Sequence, residues 1–131
     1  MKIFLAGATG ALGRQLLPRL VERGHEVTGM TRSESKLALV WDLGGRPVVG
    51  DALDPESVAQ AVTAAEPEVI VHQLTAIPHA LDLRHFAREF AQTNRLRTEG
   101  TDHLLAAGRA VGVRRFVAQS DIAIYAASAA P

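Results

Sequence analysis

Three glycines set three residues apart, Gly7, Gly10 and Gly13, separate a short apolar run at 2–6 from a stripe of leucines at Leu12, Leu16, Leu17 and Leu20. The run has the length of a buried strand, and the stripe has the period of a helix. A chain that passes from one to the other through so many glycines must turn sharply and bring backbone against backbone. A strand that leads straight into a helix is the opening of a β-α-β unit, and such units build parallel sheets.

The rest of the sequence keeps that rhythm. Apolar runs at 2–6, 25–30, 47–49, 68–72 and 114–118 read as five strands, with helical stripes between them. The first helix ends at Gly24, a residue able to close it in the left-handed conformation, and Pro18 inside it predicts a kink rather than a break. The third helix has the clearest start, with Asp54 as cap and Pro55 in the first turn, so that Val58, Ala61, Val62 and Ala65 face the sheet. Between the last two strands, Leu83, Phe86, Ala87 and Phe90 form one stripe and Leu96, Thr101, Leu104, Leu105 and Val111 another. They break near Thr93 and Asn94, which predicts a bent helix or two in succession. Trp41 is expected in core or edge packing. The architecture expected is a three-layer α/β domain of the Rossmann type, its parallel sheet in the order 3-2-1-4-5.

Composition narrows the function classes. At 131 residues the chain has the size of one domain. Without cysteine it has no disulfides or thiolate metal sites, and its histidines lack the spacing that places ligands on one helical face. Fourteen Lys and Arg balance 14 Asp and Glu, so there is none of the basic excess that marks nucleic-acid binding. Arg84 with Arg88, and Arg95 with Arg97, read as solvated helix faces relieved by Glu89 and Glu99. The longest stretch free of Asp, Glu, Lys and Arg, 69–81, is too short to span a bilayer, and no export signal opens the chain, so a cytoplasmic location is expected. From 123 to 131 the chain is rich in alanine and leaves the strand and helix rhythm, which reads as a truncation after strand five, near residue 120.

The glycine loop stands where phosphates bind best. A helix N-terminus offers unpaired N–H groups and the positive end of the helix dipole, and the glycines let backbone approach a pyrophosphate. A dinucleotide is therefore expected along Gly7, Thr9, Gly10, Ala11, Leu12 and Gly13. The spacing, G-x-x-G-x-x-G, resembles the short-chain dehydrogenase/reductase superfamily, and G-A-T-G-A-L-G-R at 7–14 is similar to the extended and atypical branches called the NAD(P)-dependent epimerase/dehydratase family. Gly50-Asp51-Ala52-Leu53-Asp54 resembles that family's G-D-[LV]-x-D, and Leu74-Thr75-Ala76 stands where it has Leu-Ala-Ala. Asn94 with Gly100, Thr101, Leu104 and Leu105 resembles N-x-x-G-T-x-N-L-L, although five residues rather than two separate Asn94 from Gly100, and His103 replaces the second Asn. Val113 to Val117 with Ser120 resembles V-[KR]-[RK]-[FI]-V-x-x-S. The resemblance implies that Asp51 and Ala52 lie at the adenine, that Leu74, Thr75 and Ala76 flank ribose and pyrophosphate, and that Asn94 belongs to the cofactor site. It also implies pairing of chains through the helices between strands four and five, where Leu83, Phe86 and Phe90 are the candidates.

Cofactor choice turns on the end of strand two. An NAD site places a carboxylate there to accept from the ribose 2′-OH, but this chain has Thr31-Arg32-Ser33. Arg32 offers a fork of donors to a 2′-phosphate, Ser33 adds a hydroxyl and Arg14 a second cation, so NADP is favoured over NAD.

Family members that transfer hydride use Tyr-x-x-x-Lys, whose ammonium lowers the phenol pKa for proton exchange with substrate, beside a Ser or Thr. The sole tyrosine, Tyr125, is followed four residues on by Ala129, while the lysines, Lys2 and Lys36, precede it. Ser120 alone matches the catalytic region. The expectation is the NAD(P)-binding part of an oxidoreductase or epimerase acting by hydride transfer on an unidentified small molecule; the competing reading is a non-catalytic dinucleotide sensor.

Overall fold

The computed structural model describes residues 1–77, 80 and 82–120. Five strands, β1 (Lys2–Ala6), β2 (Glu26–Thr31), β3 (Arg46–Val49), β4 (Val69–His72) and β5 (Arg115–Ala118), form one sheet in the order β3-β2-β1-β4-β5. Every pairing is parallel, with Phe4 opposite Thr28 on one side and Ile70 on the other. The expected strand order and fold class hold, and the strand ends lie within a residue of those expected. The helices are α1 (Gly13–Glu22), α2 (Leu37–Asp42), α3 (Pro55–Ala65), α4 (Phe86–Arg95) and α5 (Thr101–Ala110).

β1 is central, and its apolar run is continuous because both faces of a covered parallel sheet are buried. Alternate residues feed two cores. Phe4 and Ala6 join Ile70, Val58, Val62, Leu104 and Ala107 beneath α3 and α5; Ile3 and Leu5 join Val27, Val71, Leu17 and Val40 beneath α1 and α2. Asp54 caps α3 by accepting from Glu56 N–H at 3.1 Å, with Pro55 in the first turn, as expected. α1 runs through Pro18 without a break.

Two packing expectations are corrected. Leu12 is 53% exposed, since it stands at the N-cap of α1, before the buried stripe of the helix begins at Gly13 and Leu17. Trp41 is 69% exposed and belongs to neither core nor edge packing: α2 is six residues long and buries only Val40, the residue beside it.

The two stripes between β4 and β5 form one continuous helical segment, in which a π-turn at Leu96–Gly100 joins α4 to α5. A π-turn leaves carbonyls without their usual partners. Here the Thr98 hydroxyl donates to Asn94 O at 2.9 Å, Thr101 to Arg97 O at 2.5 Å, and His72 Nε2 to Leu96 O at 3.3 Å. Phe86 remains 54% exposed and stacks on Phe90, ring centroids 4.5 Å apart, instead of entering the core. Tyr125, His79 and the alanine-rich end lie outside the described residues. Among the described residues no helix is long and apolar enough to cross a membrane.

Phe4 is fully buried at the centre of the larger core. Truncating it to alanine removes a ring and leaves a cavity, so Phe4→Ala is expected to cost about 3 to 5 kcal/mol, whereas Trp41→Ala stays within about 0.5 kcal/mol. Urea unfolding checks both; equal losses would contradict the burial order.

Candidate functional site

The order in which strands are added to the sheet reverses beside β1, and the crevice at such a switch point lies between the loops that leave β1 and β4. The loop after β1 starts with Gly7 at φ 87°, where a Cβ would come within 2.6 Å of Gln73 O on the neighbouring loop. At Gly13 a Cβ would lie 2.1 Å from Gly7 O, so α1 can begin this close to β1 only with glycine there. Gly10 differs: a Cβ there would meet nothing nearer than Gly7 O at 3.5 Å, an ordinary contact. Nothing among the described residues requires glycine at 10. No side chain caps α1 and its first turn carries no acid; Arg14 and Gln15 N–H donate to Gly10 O and Leu12 O, so what this end offers the crevice is chiefly the positive end of the helix dipole.

The crevice holds a cavity of about 220 Å³. Ten of the residues expected at a cofactor line it: Gly7, Thr9 and Gly10 on the first loop, Arg32 and Ser33 after β2, Asp51 and Ala52 after β3, and Leu74, Thr75 and Ala76 after β4. Ala11, Leu12, Gly13, Arg14 and Asn94 do not line it. Lys36, Gln73 and Gln92 do, although the sequence reading passed over them. Lys36 could have been found, since it is the only other cation within a few residues of Arg32 in the segment that follows β2. Gln73 and Gln92 carry no motif.

Hydrogen bonds fix the walls. Thr31 Oγ1 lies 3.3 Å from Thr9 Oγ1 and accepts from Ser33 N–H at 3.3 Å. Asp51 Oδ1 accepts from Leu53 N–H at 3.0 Å while its own N–H donates to Ser57 Oγ at 2.9 Å. Ala76 N–H donates to the buried Thr93 Oγ1 at 2.9 Å, tying the β4 loop to α4. His103, where the family motif has Asn, donates through Nδ1 to Ala52 O at 2.7 Å and so ties α5 to the β3 loop. Gln73 Oε1 is buried without a hydrogen-bond partner among the described residues. An unpaired buried acceptor costs about 1 to 3 kcal/mol, which a hydrogen-bond donor on a bound molecule would offset. An open approach at Gly10, a helix end without a side-chain cap, two cations and an unmet acceptor together fit a dinucleotide.

His72, at the end of β4, is buried. Its Nδ1 accepts from Leu74 N–H at 3.2 Å, so Nε2 carries the proton given to Leu96 O. Burial lowers its pKa, the hydrogen bond to Leu96 opposes that shift, and the nearby Arg97 lowers it further. A second cavity, of about 320 Å³, meets the first at Leu74 and Thr75. Ser120 lines it, and so does the partly exposed Arg97. Arg95 does keep to the surface, with its Nε 2.6 Å from Glu99 Oε2. Among the described residues no group of three His, Asp or Glu side chains is placed to hold a metal.

A family profile described as NAD(P)H-binding matches residues 7–131. The 3-diazoavenalumate denitrifying reductase of a Streptomyces species is 51% identical over 131 residues, all of this chain and 41% of the reductase. A short-chain dehydrogenase/reductase superfamily protein from Agrobacterium tumefaciens, solved with bound NAD, is 30% identical with TM-score 0.68 over 94% of this chain and 33% of its own. UDP-glucose 4-epimerase from Thermotoga maritima, 21% identical, shares the fold at TM-score 0.74 over 92% of this chain and 38% of its own. The chain thus spans well under half of these relatives.

Protonating His72 would set its Nδ1–H against Leu74 N–H, so folding favours the neutral ring. Its folded pKa lies below the ordinary 6.5, so its contribution to stability is complete above that value and is lost as pH falls below it, where the unfolded chain takes up the proton first. The urea midpoint is expected to drop between about pH 7.5 and 5.5, with a shallower drop in His72→Asn. Parallel declines in the two proteins would assign the slope to other groups.

Proposed function

The chain belongs to the NAD(P)H-binding family, and we propose that it forms the cofactor-binding part of an NADP-preferring reductase or epimerase-type enzyme acting by hydride transfer. The contrast among the three glycines carries the reading. Gly7 and Gly13 are closed in by the chain's own backbone, while Gly10 is open, so its missing side chain serves a group from outside. The pyrophosphate rests there, against the first turn of α1. Asp51 and Ala52 take the adenine end, and Leu74 to Ala76 with Gln73 take the riboses. The nicotinamide ring, when bound, gives or accepts the hydride. Ser120, in the adjoining cavity, holds the substrate oxygen.

Arg32, Lys36 and Ser33 gather at the β2 end of the crevice, where they form a pocket for a 2′-phosphate, with no carboxylate among the described residues that line the cavity there except Asp51 on the opposite loop. The preference rests on these side chains and not on similarity, since the Agrobacterium relative was solved with NAD.

Two experiments test the proposal. Gly10→Ala is expected to keep its unfolding temperature and lose NADP affinity by about tenfold or more, because a methyl group blocks the phosphate but makes only an ordinary contact, 3.5 Å from Gly7 O, with the described chain. Gly13→Ala is expected to lose folding stability itself. Unchanged calorimetric affinity in Gly10→Ala would remove the basis of the reading. NADP is expected to bind about tenfold tighter than NAD, the lower end of what an exposed charge-assisted contact provides. Arg32→Asp should reverse that order and added salt should narrow it. Equal affinities at low salt would count against NADP.

A further inference from the structure

We infer that His103 is a positioning residue for the cofactor: through a single peptide group it orients the Asp51 carboxylate, and so it sets the affinity for the adenine half of the dinucleotide. The inference deepens the cofactor reading above and rests on it, since that reading puts Asp51 and Ala52 at the adenine end of the crevice.

The peptide group between Ala52 and Leu53 is bonded on both sides. Its carbonyl accepts from His103 Nδ1–H at 2.7 Å, and its N–H donates to Asp51 Oδ1 at 3.0 Å. Because the group is planar, fixing the carbonyl also fixes the direction of the N–H. Each hydrogen bond polarises the peptide and strengthens the other, the more so where one acceptor is a carboxylate. The backbone of Asp51 is anchored separately, its N–H donating to Ser57 Oγ at 2.9 Å and its carbonyl accepting from Asp54 N–H at 3.0 Å. The direction of the carboxylate therefore depends on Leu53 N–H, and through it on His103. With Oδ1 committed to the chain and Asp51 lining the crevice, Oδ2 is the oxygen left for a donor on the ligand.

The reach of His103 follows from the helix that carries it. Gly100 stands one turn earlier on the same side, and a Cβ there would lie 3.5 Å from Ala52 Cβ. With no side chain at 100, the helix lies close enough for the ring nitrogen nearest the main chain, Nδ1, to meet the carbonyl. Nδ1 is bonded to Cγ, as is the amide nitrogen of asparagine, the residue that the family motif has here. The donor stands equally far along the side chain in both residues, and one bond farther out in glutamine.

The test uses the full chain, NADP, adenosine 2′,5′-bisphosphate as probe of the adenine half and nicotinamide mononucleotide as probe of the other half, each titrated by NMR. His103→Leu and His103→Gln are expected to weaken NADP and the bisphosphate by about three- to tenfold and to leave the mononucleotide unchanged, while His103→Asn binds all three like the parent. In the free chain the Leu53 amide is expected to exchange faster with solvent in His103→Leu but not in His103→Asn. Asp51→Ala removes the group through which His103 acts, so adding His103→Leu to it should cost no further affinity. Unchanged NADP affinity in His103→Leu, equal losses for the two halves, losses that add in the double variant, or a Leu53 amide indifferent to residue 103 would overturn the inference. If His103→Leu does not fold, the contrast between His103→Asn and His103→Gln decides the same question. A parent chain that binds neither NADP nor the bisphosphate would sink the cofactor reading and the affinity assignment with it, while the Leu53 amide still reports whether His103 holds the peptide.

Discussion

The carbonyl of Gly7 occupies the place that any side chain at residue 13 would need. From that contact follow the start of α1, its closeness to β1 and the aim of its N-terminus at the crevice. The same closeness is repeated one strand over, where a Cβ at Gly29 would lie 2.8 Å from Ala8 Cβ and 3.3 Å from Leu17 Cδ1. Interiors this tight tolerate almost no added volume, so the helix is located by exclusion as much as by attraction. An electrostatic site made of backbone needs that accuracy, because the field of a helix end falls off within a turn.

The opposite wall is located by hydrogen bonds instead. Thr93 holds Ala76 N–H, His72 holds Leu96 O, and His103 holds Ala52 O, so the loops after β3 and β4 are each tied to the long helical segment that packs behind them. All of these ties reach backbone groups of a loop or of the π-turn. They decide where Leu74, Thr75 and Arg97 stand.

What could be read from the sequence was whatever rests on period and on backbone. The strand order, the glycine junction, the Asp54 cap and ten of the residues around the crevice followed from runs, stripes and a motif. Side chains brought in by geometry alone did not. Gln73 follows a strand without any pattern, and Gln92 reaches the crevice only because α4 lies across it. Trp41 misled because hydrophobicity favours burial but a six-residue helix has room to bury just one neighbour. The π-turn was visible only as a broken stripe, since composition does not distinguish a wide turn from a bend.

A π-turn is also a phase shift. Each residue of a helix advances about 100° around the axis, so the wide turn at Leu96–Gly100 sets the face that α4 presents independently of the face that α5 buries. Shortening this stretch by one residue would restore a regular helix and swing α4 by about that angle, carrying Thr93 away from Ala76 N–H while Leu104 stayed seated on the sheet. The crevice wall and the hydrophobic core are therefore geared separately on a single rod, and changes of length here can reshape the wall while the core keeps its register.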